Sequence, residues 1–248
     1  MKIEYVFMIV GVGGTGGNFA KEFIRFITNL SNNDITVKII FIDGDVIEEK
    51  NCSRQPYISD DINLKKAAVL AEAVGDTFGF DVTAYTEYIV NCEQLRRIYR
   101  NLCDVSSLSI PVIIGCVDNH RCRQVLHEYF NLLNNCIYFD SANEFSVGEV
   151  VFASKLQGKV VSPPRAYYYH DVLTDTSPNK EEESCQATNK AAPQHLVTNM
   201  FAANILLTAC AELLTSGKVM NGIVYFDSFR YFARHHEYVG EVENSDKC

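Results

Sequence analysis

A run of glycines between an apolar segment and a helical pattern constrains this chain more than any other feature. Residues 5–10 are apolar enough for a buried strand, and Gly11-Val12-Gly13-Gly14-Thr15-Gly16 then fits G-x-G-x-x-G. Across residues 18–27, Phe19, Phe23, Phe26 and Ile27 recur at the spacing of one helix face. A polar loop follows, and residues 37–42 are continuously apolar and rich in β-branched side chains before Asp43-Gly44-Asp45. An apolar run of that kind suits a strand covered on both faces. The order is strand, glycine turn, helix, strand, which predicts one βαβ unit of a parallel sheet. Glycines there permit a tight turn and close backbone approach, and the unpaired N–H groups of the helix start attract phosphate.

The rest of the chain extends this pattern. Helices are predicted over 65–78, 92–104 and 121–133, with Ala67, Leu70, Ala71 and Val74 inward in the first. Strands are predicted over 82–85, 110–114 and 136–140, and a hairpin arm or edge strand over 147–156. Residues 159–194 hold four of the six prolines, three consecutive tyrosines and the acidic run Glu181-Glu182-Glu183. They read as one long crossover loop, a kind of segment that more often carries function than not. A periodic helix over 196–214 stops at Gly217, two closing strands follow, and residues 241–248 form a loose tail. At 248 residues the chain is expected to be a single domain, 1–248.

Composition removes several classes of function. A formal net charge of -9 gives no footprint for nucleic acid. The opening apolar run is too short to cross a bilayer, and no later stretch reads as a span, so no membrane partner is expected. The nine cysteines make no C-x-x-C pair, so no structural zinc is expected and a reducing, cytoplasmic setting is preferred.

The charged residues narrow the ligand. Asp43, at the end of the second strand, suits ribose hydroxyls in either a dinucleotide or an ATP enzyme. Just beyond it come Asn51, Arg54 and Gln55, and then Lys66. A dinucleotide clamp has no need of that series, whereas a polyphosphate being cleaved does. Asp118-Asn119 ends the strand over 110–114, where the carboxylate of Asp118 could hold Mg²⁺ or cap the following helix. Arg121 and Arg123 could be ligands but read first as helix surface. Cys185 lies in the polar loop, where packing does not explain a thiol, and is a candidate acyl acceptor. The three glutamates before it oppose thiolate formation.

Taken together, these residues resemble the adenylating domain of the ThiF/MoeB/ubiquitin-activating (E1-like) superfamily. The matching pieces are Gly11-Val12-Gly13-Gly14-Thr15-Gly16, Asp43-Gly44-Asp45, Asn51-Cys52-Ser53-Arg54-Gln55, Lys66 and Val117-Asp118-Asn119, in the family's order over residues 5–230. The resemblance implies an α/β fold, a Rossmann-like three-layer sandwich with a mostly parallel sheet and a closing antiparallel portion. It implies ATP and Mg²⁺ as ligands, and adenylation of the C-terminal carboxylate of a ubiquitin-like or sulfur-carrier protein. By resemblance Asp43 holds the ribose, Asn51, Arg54 and Lys66 contact phosphates, Asp118 organises Mg²⁺, and the glycines, Asp45, Gln55 and Asn119 belong to the same nucleotide site. Ser184-Cys185, Pro193-Gln194 and the helix from Asn199 resemble the crossover loop where many members carry a cysteine that takes the acyl group as a thioester or forms a persulfide-related link. Residues 139–152, FDSANEFSVGEVVF, resemble more narrowly the ThiF-family proteins of PRTRC gene clusters. A homodimer is also implied. No arm precedes the first strand here, so the arginine that relatives lend across the dimer would need another source. The alternatives from these residues are an NAD-dependent oxidoreductase, resting on the glycine loop and Asp43, and a family member that binds without turnover.

Overall fold

The computed structural model of the chain describes residues 2–30, 34–103, 108–176 and 195–240. Its centre is a nine-stranded sheet whose first half is parallel. The strands β1 (Ile3–Val10), β2 (Ile35–Ile42), β3 (Thr83–Tyr85), β4 (Leu108–Gly115) and β5 (Cys136–Asn143) run in the order β3-β2-β1-β4-β5. The order reverses between β1 and β4, which opens a crevice beyond their carboxyl ends. Antiparallel strands β6 (Val147–Leu156), β8 (Gly222–Asp227) and β9 (Phe232–His236) continue the sheet, with β7 (Lys159–Ser162) on the far end of β6.

Helices α1 (Gly14–Thr28), α2 (Lys66–Phe78) and α7 (Leu196–Ser216) cover one face, while α3 (Cys92–Leu102) and α4 (His120–Leu132) cover the other. Strand alternation makes the three layers. Tyr5, Phe7 and Ile9 of β1 join the core under α1 and α7, whereas Met8 and Val10 join the core under α3 and α4. Phe23 of α1 meets Phe7 at 4.7 Å and Phe19 at 5.2 Å between ring centroids, and is fully buried. Truncating such a side chain to alanine costs about 3–5 kcal/mol.

The structure decides one of the sequence expectations and alters two. Of the two readings of 147–156 it is the hairpin arm, since β6 folds back antiparallel on β5, and it is no edge strand, because β8 and β7 pair with its other side. Part of the expected crossover loop is regular structure: β7 leads into the short helices α5 (Arg165–Tyr168) and α6 (Asp171–Thr174), with Ser162, Arg165, Ala166 and Val172 buried. Residues 177–194, including Ser184, Cys185, Pro193 and Gln194, lie outside the described residues, as does the tail 241–248. Finally, α7 is long and apolar enough to cross a membrane, with 21 residues and a mean hydropathy of 1.5. Its apolarity has a use inside the protein, since Ala203, Leu206, Ala209, Cys210, Leu213 and Leu214 join the core shared with α1 and the sheet.

Candidate active site

The glycine loop turns from β1 into α1 against the end of β4. Gly11 has φ +84°, and a Cβ there would sit 2.6 Å from the carbonyl oxygen of Cys116. A Cβ on Gly16 would stand 1.9 Å from the carbonyl oxygen of Gly11, so the third glycine packs the helix on the turn rather than facing the crevice. Gly11, Gly13 and Gly14 line the crevice and Gly16 does not. The N-cap residue of α1, Gly13, has no side chain to cap with, which leaves the first N–H groups of the helix for a ligand.

The crevice is a cavity of about 780 Å³, large enough for a nucleotide and part of a second substrate. On its β2 side Asp43 accepts hydrogen bonds from the N–H of Val12 (2.8 Å) and of Asp45 (2.9 Å). Burial, then Asp45 beside it, raises the Asp43 carboxyl above its ordinary value, against the opposing pull of Lys66 and the two N–H groups. Lys66 opens α2 and meets Asp45 Oδ2 at 2.8 Å, while Tyr88 donates its hydroxyl to Asp45 Oδ1 at 2.5 Å. The lysine is almost fully buried, whereas a quarter of the Asp45 side chain is exposed.

The segment between β2 and α2 carries the remaining predicted phosphate contacts. Asn51 is buried and lies off the cavity wall; its side chain accepts from the N–H of Glu48 (2.9 Å) and fixes the 3₁₀ turn Glu49–Asn51. Its carbonyl receives the N–H groups of Arg54 (3.0 Å) and Gln55 (2.8 Å), so Asn51 orders the two residues that do line the cavity. The guanidinium of Arg54 has no partner among the described residues. Gln55 lies over Gly13, and its buried Oε1 likewise lacks a hydrogen-bond partner. A buried amide oxygen left unpaired beside an uncapped helix start fits a site that completes its bonding with a polar ligand.

Asp118 and Asn119 follow β4 onto the wall. Asn119, not Asp118, caps α4, accepting from the N–H of Cys122 at 2.8 Å. Among the described residues no group of three or more His, Cys, Asp or Glu is placed to hold a metal. A single carboxylate suits Mg²⁺ only where phosphate oxygens and water supply the other ligands. Cys116 and Cys122 also line the cavity, but burial pushes both thiols up, Cys122 to about 12.

Arg123 corrects the sequence reading. It is buried rather than on the helix surface, and it pairs with Asp140 of β5. Its Nε donates to Asp140 Oδ1 at 3.3 Å, and its Nη2 donates to the carbonyls of Val117 (2.6 Å) and Ser141 (3.2 Å). Arg165, from α5, pairs with Asp140 Oδ2 at 3.0 Å and with Glu149 at 2.6 Å. Burial alone would lower the Arg165 value; Asp140 and Glu149 outweigh it and raise it. At the far end of the cavity wall Thr15 donates to Asn143 Oδ1 (2.9 Å), and Asn143 donates to Asn199 Oδ1 (2.8 Å). These contacts cross 128 and 56 residues of the sequence.

The whole arrangement matches a known family. A family model described as "ThiF family" matches residues 4–244, and the chain belongs to that family. Solved structures show the same fold. The crystal structure of Escherichia coli MccB with succinimide has a TM-score of 0.65 at 16% identity, covering 94% of this chain and 63% of that one. The E. coli MccB structure with ATP gives 0.64 at 15% identity, with 94% and 63% covered, and the structure titled SeMet PaaA gives 0.62 at 15%, with 96% and 64% covered. This chain thus spans slightly less than two-thirds of the length of those proteins. A search of curated proteins found no match.

Proposed function

We propose that this chain is an ATP-dependent adenylyltransferase that activates the C-terminal carboxylate of a peptide or small protein. The observation that carries the reading is one cavity at the sheet's switch point whose wall joins an uncapped helix start, Asp43, Arg54, Lys66 and Asp118. MccB has been solved with ATP, and with AMPCPP together with MccA, which supports this fold binding a nucleotide together with a second molecule.

In the reaction a carboxylate oxygen of the tail bonds to the α-phosphorus of ATP, giving a mixed anhydride. The α–β phosphoanhydride bond breaks, and pyrophosphate leaves with the electron pair. Asp43 holds the ribose end, and the N–H groups at the start of α1 receive phosphate oxygens. Arg54 and Lys66 offset the charge that grows on the departing pyrophosphate. Asp118 would hold Mg²⁺, which supplies Lewis-acid neutralisation of the phosphates when bound. Ionised Asp45 keeps Lys66 in place until phosphates compete for it.

Within this reading the substrate is a ubiquitin-like or sulfur-carrier protein, and Cys185 is a candidate acceptor of the activated acyl group. The narrower likeness to PRTRC-cluster proteins, a homodimer and a cytoplasmic setting belong to the same reading; the seven described cysteines are all free thiols. An NAD-dependent oxidoreductase would leave Arg54, Lys66 and Asp118 without a task, and calorimetry with ATP and with NAD separates the two. ATP–pyrophosphate exchange with candidate carrier proteins tests the main proposal. Exchange unchanged in both Arg54→Ala and Asp118→Ala would sink it. A thiol-sensitive conjugate that persists in Cys185→Ala would remove the acceptor role.

A further inference from the structure

We infer that Arg123 is a positioning residue of the adenylation site, tying together the ends of β4 and β5 where the sheet itself no longer does. Pairing between these strands stops at Gly115 and Asp140. Beyond that pair both chains run on to residues of the cavity wall, Asp118 and Asn119 from one, Ser141 and Asn143 from the other. No ladder bond joins them there. On its outer side the end of β5 is secured by β6 as far as Asn143 and Gly148. The inner side depends on Arg123, whose Nη2 bridges the carbonyls of Val117 and Ser141.

The guanidinium is itself held. Its Nε meets Asp140, and Arg165 takes the other carboxylate oxygen and the Asp140 carbonyl (2.9 Å) before pairing with Glu149. Two arginines and two carboxylates make the cluster neutral, and Tyr138 adds its hydroxyl to Asp140 at 2.8 Å. A planar fork with donors on several nitrogens can join a carboxylate and two carbonyls at once; a lysine ammonium has the charge without that shape. Arg123 therefore acts through Asp118 and Asn143. The geometry stands without any ligand, while its consequence for turnover rests on the adenylation reading.

Arg123→Lys tests it, because the charge stays and the fork is lost. In the unliganded full-length protein, amide hydrogen exchange should quicken at least about tenfold in residues 116–119 and 141–143, with β1 and α1 unchanged. Turnover in ATP–pyrophosphate exchange should fall about 10–100-fold while the KM for ATP stays within about threefold, since binding groups remain and alignment is lost. Wild-type exchange rates at both segments, or wild-type turnover in a folded Arg123→Lys protein, would overturn the inference. If Arg123→Lys does not fold, the pair Arg123→Gln with Asp140→Asn removes both charges and leaves Arg165 with Glu149. It must show the same local signature, and its absence overturns the inference equally. Should the wild-type protein show no pyrophosphate exchange with any carrier, the adenylation reading fails, and the amide-exchange arm still decides whether Arg123 ties the two strand ends.

Discussion

Lys66 meets Asp45 at 2.8 Å with a quarter of the carboxylate side chain exposed, whereas Asp140 sits at 1% exposure between Arg123 and Arg165. Both ion pairs adjoin one cavity, with Asp45, Lys66 and Arg123 on its wall, yet they suit opposite tasks. The first can be renegotiated: Asp45 keeps Tyr88 as a partner and can be rehydrated when Lys66 turns to a phosphate. The second cannot, because any partner that leaves strands a charge away from water. The cavity thus has an exchangeable side, where β2 ends, and a fixed side, where β4 and β5 end. Exchangeable pairs handle a ligand that arrives and departs, and fixed pairs keep the groups around it in register.

The contrast is broken most directly at Asp140. Replacing it by alanine leaves two buried guanidinium groups short of a counter-charge, with an expected loss of about 3–5 kcal/mol in urea unfolding. A loss below about 1 kcal/mol would show that the fixed side is no more committed than the exchangeable one. Lys66→Ala should divide differently. Stability falls by only about 1 kcal/mol, since Asp45 reaches water, while pyrophosphate exchange drops about 100-fold through loss of a phosphate-facing cation. A Lys66→Ala protein that loses more stability than Asp140→Ala would reverse the assignment of the two sides.

The same contrast explains what could be read from the chain. The exchangeable side is local: glycine loop, Asp43, Asp45, Arg54, Gln55 and Lys66 fall within 56 residues in a pattern whose spacing follows from one βαβ unit. Strand and helix order was legible for a similar reason, since apolar periodicity records which faces are covered. The fixed side is not local. Asp140 could be seen as an acid ending a strand, but its partners lie 17 residues before it and 25 after it, one in a helix that otherwise reads as surface and one beside three tyrosines. Asn199 enters the reading only through the resemblance of its helix, and nothing local pairs it with Asn143, 56 residues away in sequence. Periodicity also left β6 open between a hairpin arm and an edge strand, because a strand's pairing on its second side depends on β8, far along the chain.

A smaller effect sharpens the comparison from the exchangeable side. Asp43 is buried beside Asp45, and its carboxyl is raised despite Lys66, so the folded chain holds that proton to higher pH than the unfolded chain does. Stability from this group is fully present below the ordinary carboxylate value and is lost as pH rises through the raised one. ATP affinity should move the other way over the same window, because only the ionised carboxylate can accept from both ribose hydroxyls. Urea unfolding and calorimetric ATP binding, each followed across mildly acidic pH, should therefore give curves of opposite slope. In Asp43→Asn both slopes should flatten, since the titrating group is gone. In Lys66→Ala the window should shift upward, because the opposing cation no longer lowers the Asp43 value. Parallel slopes in the wild type would mean that the proton on Asp43 is not what the nucleotide displaces, and the ribose would need another acceptor on the wall.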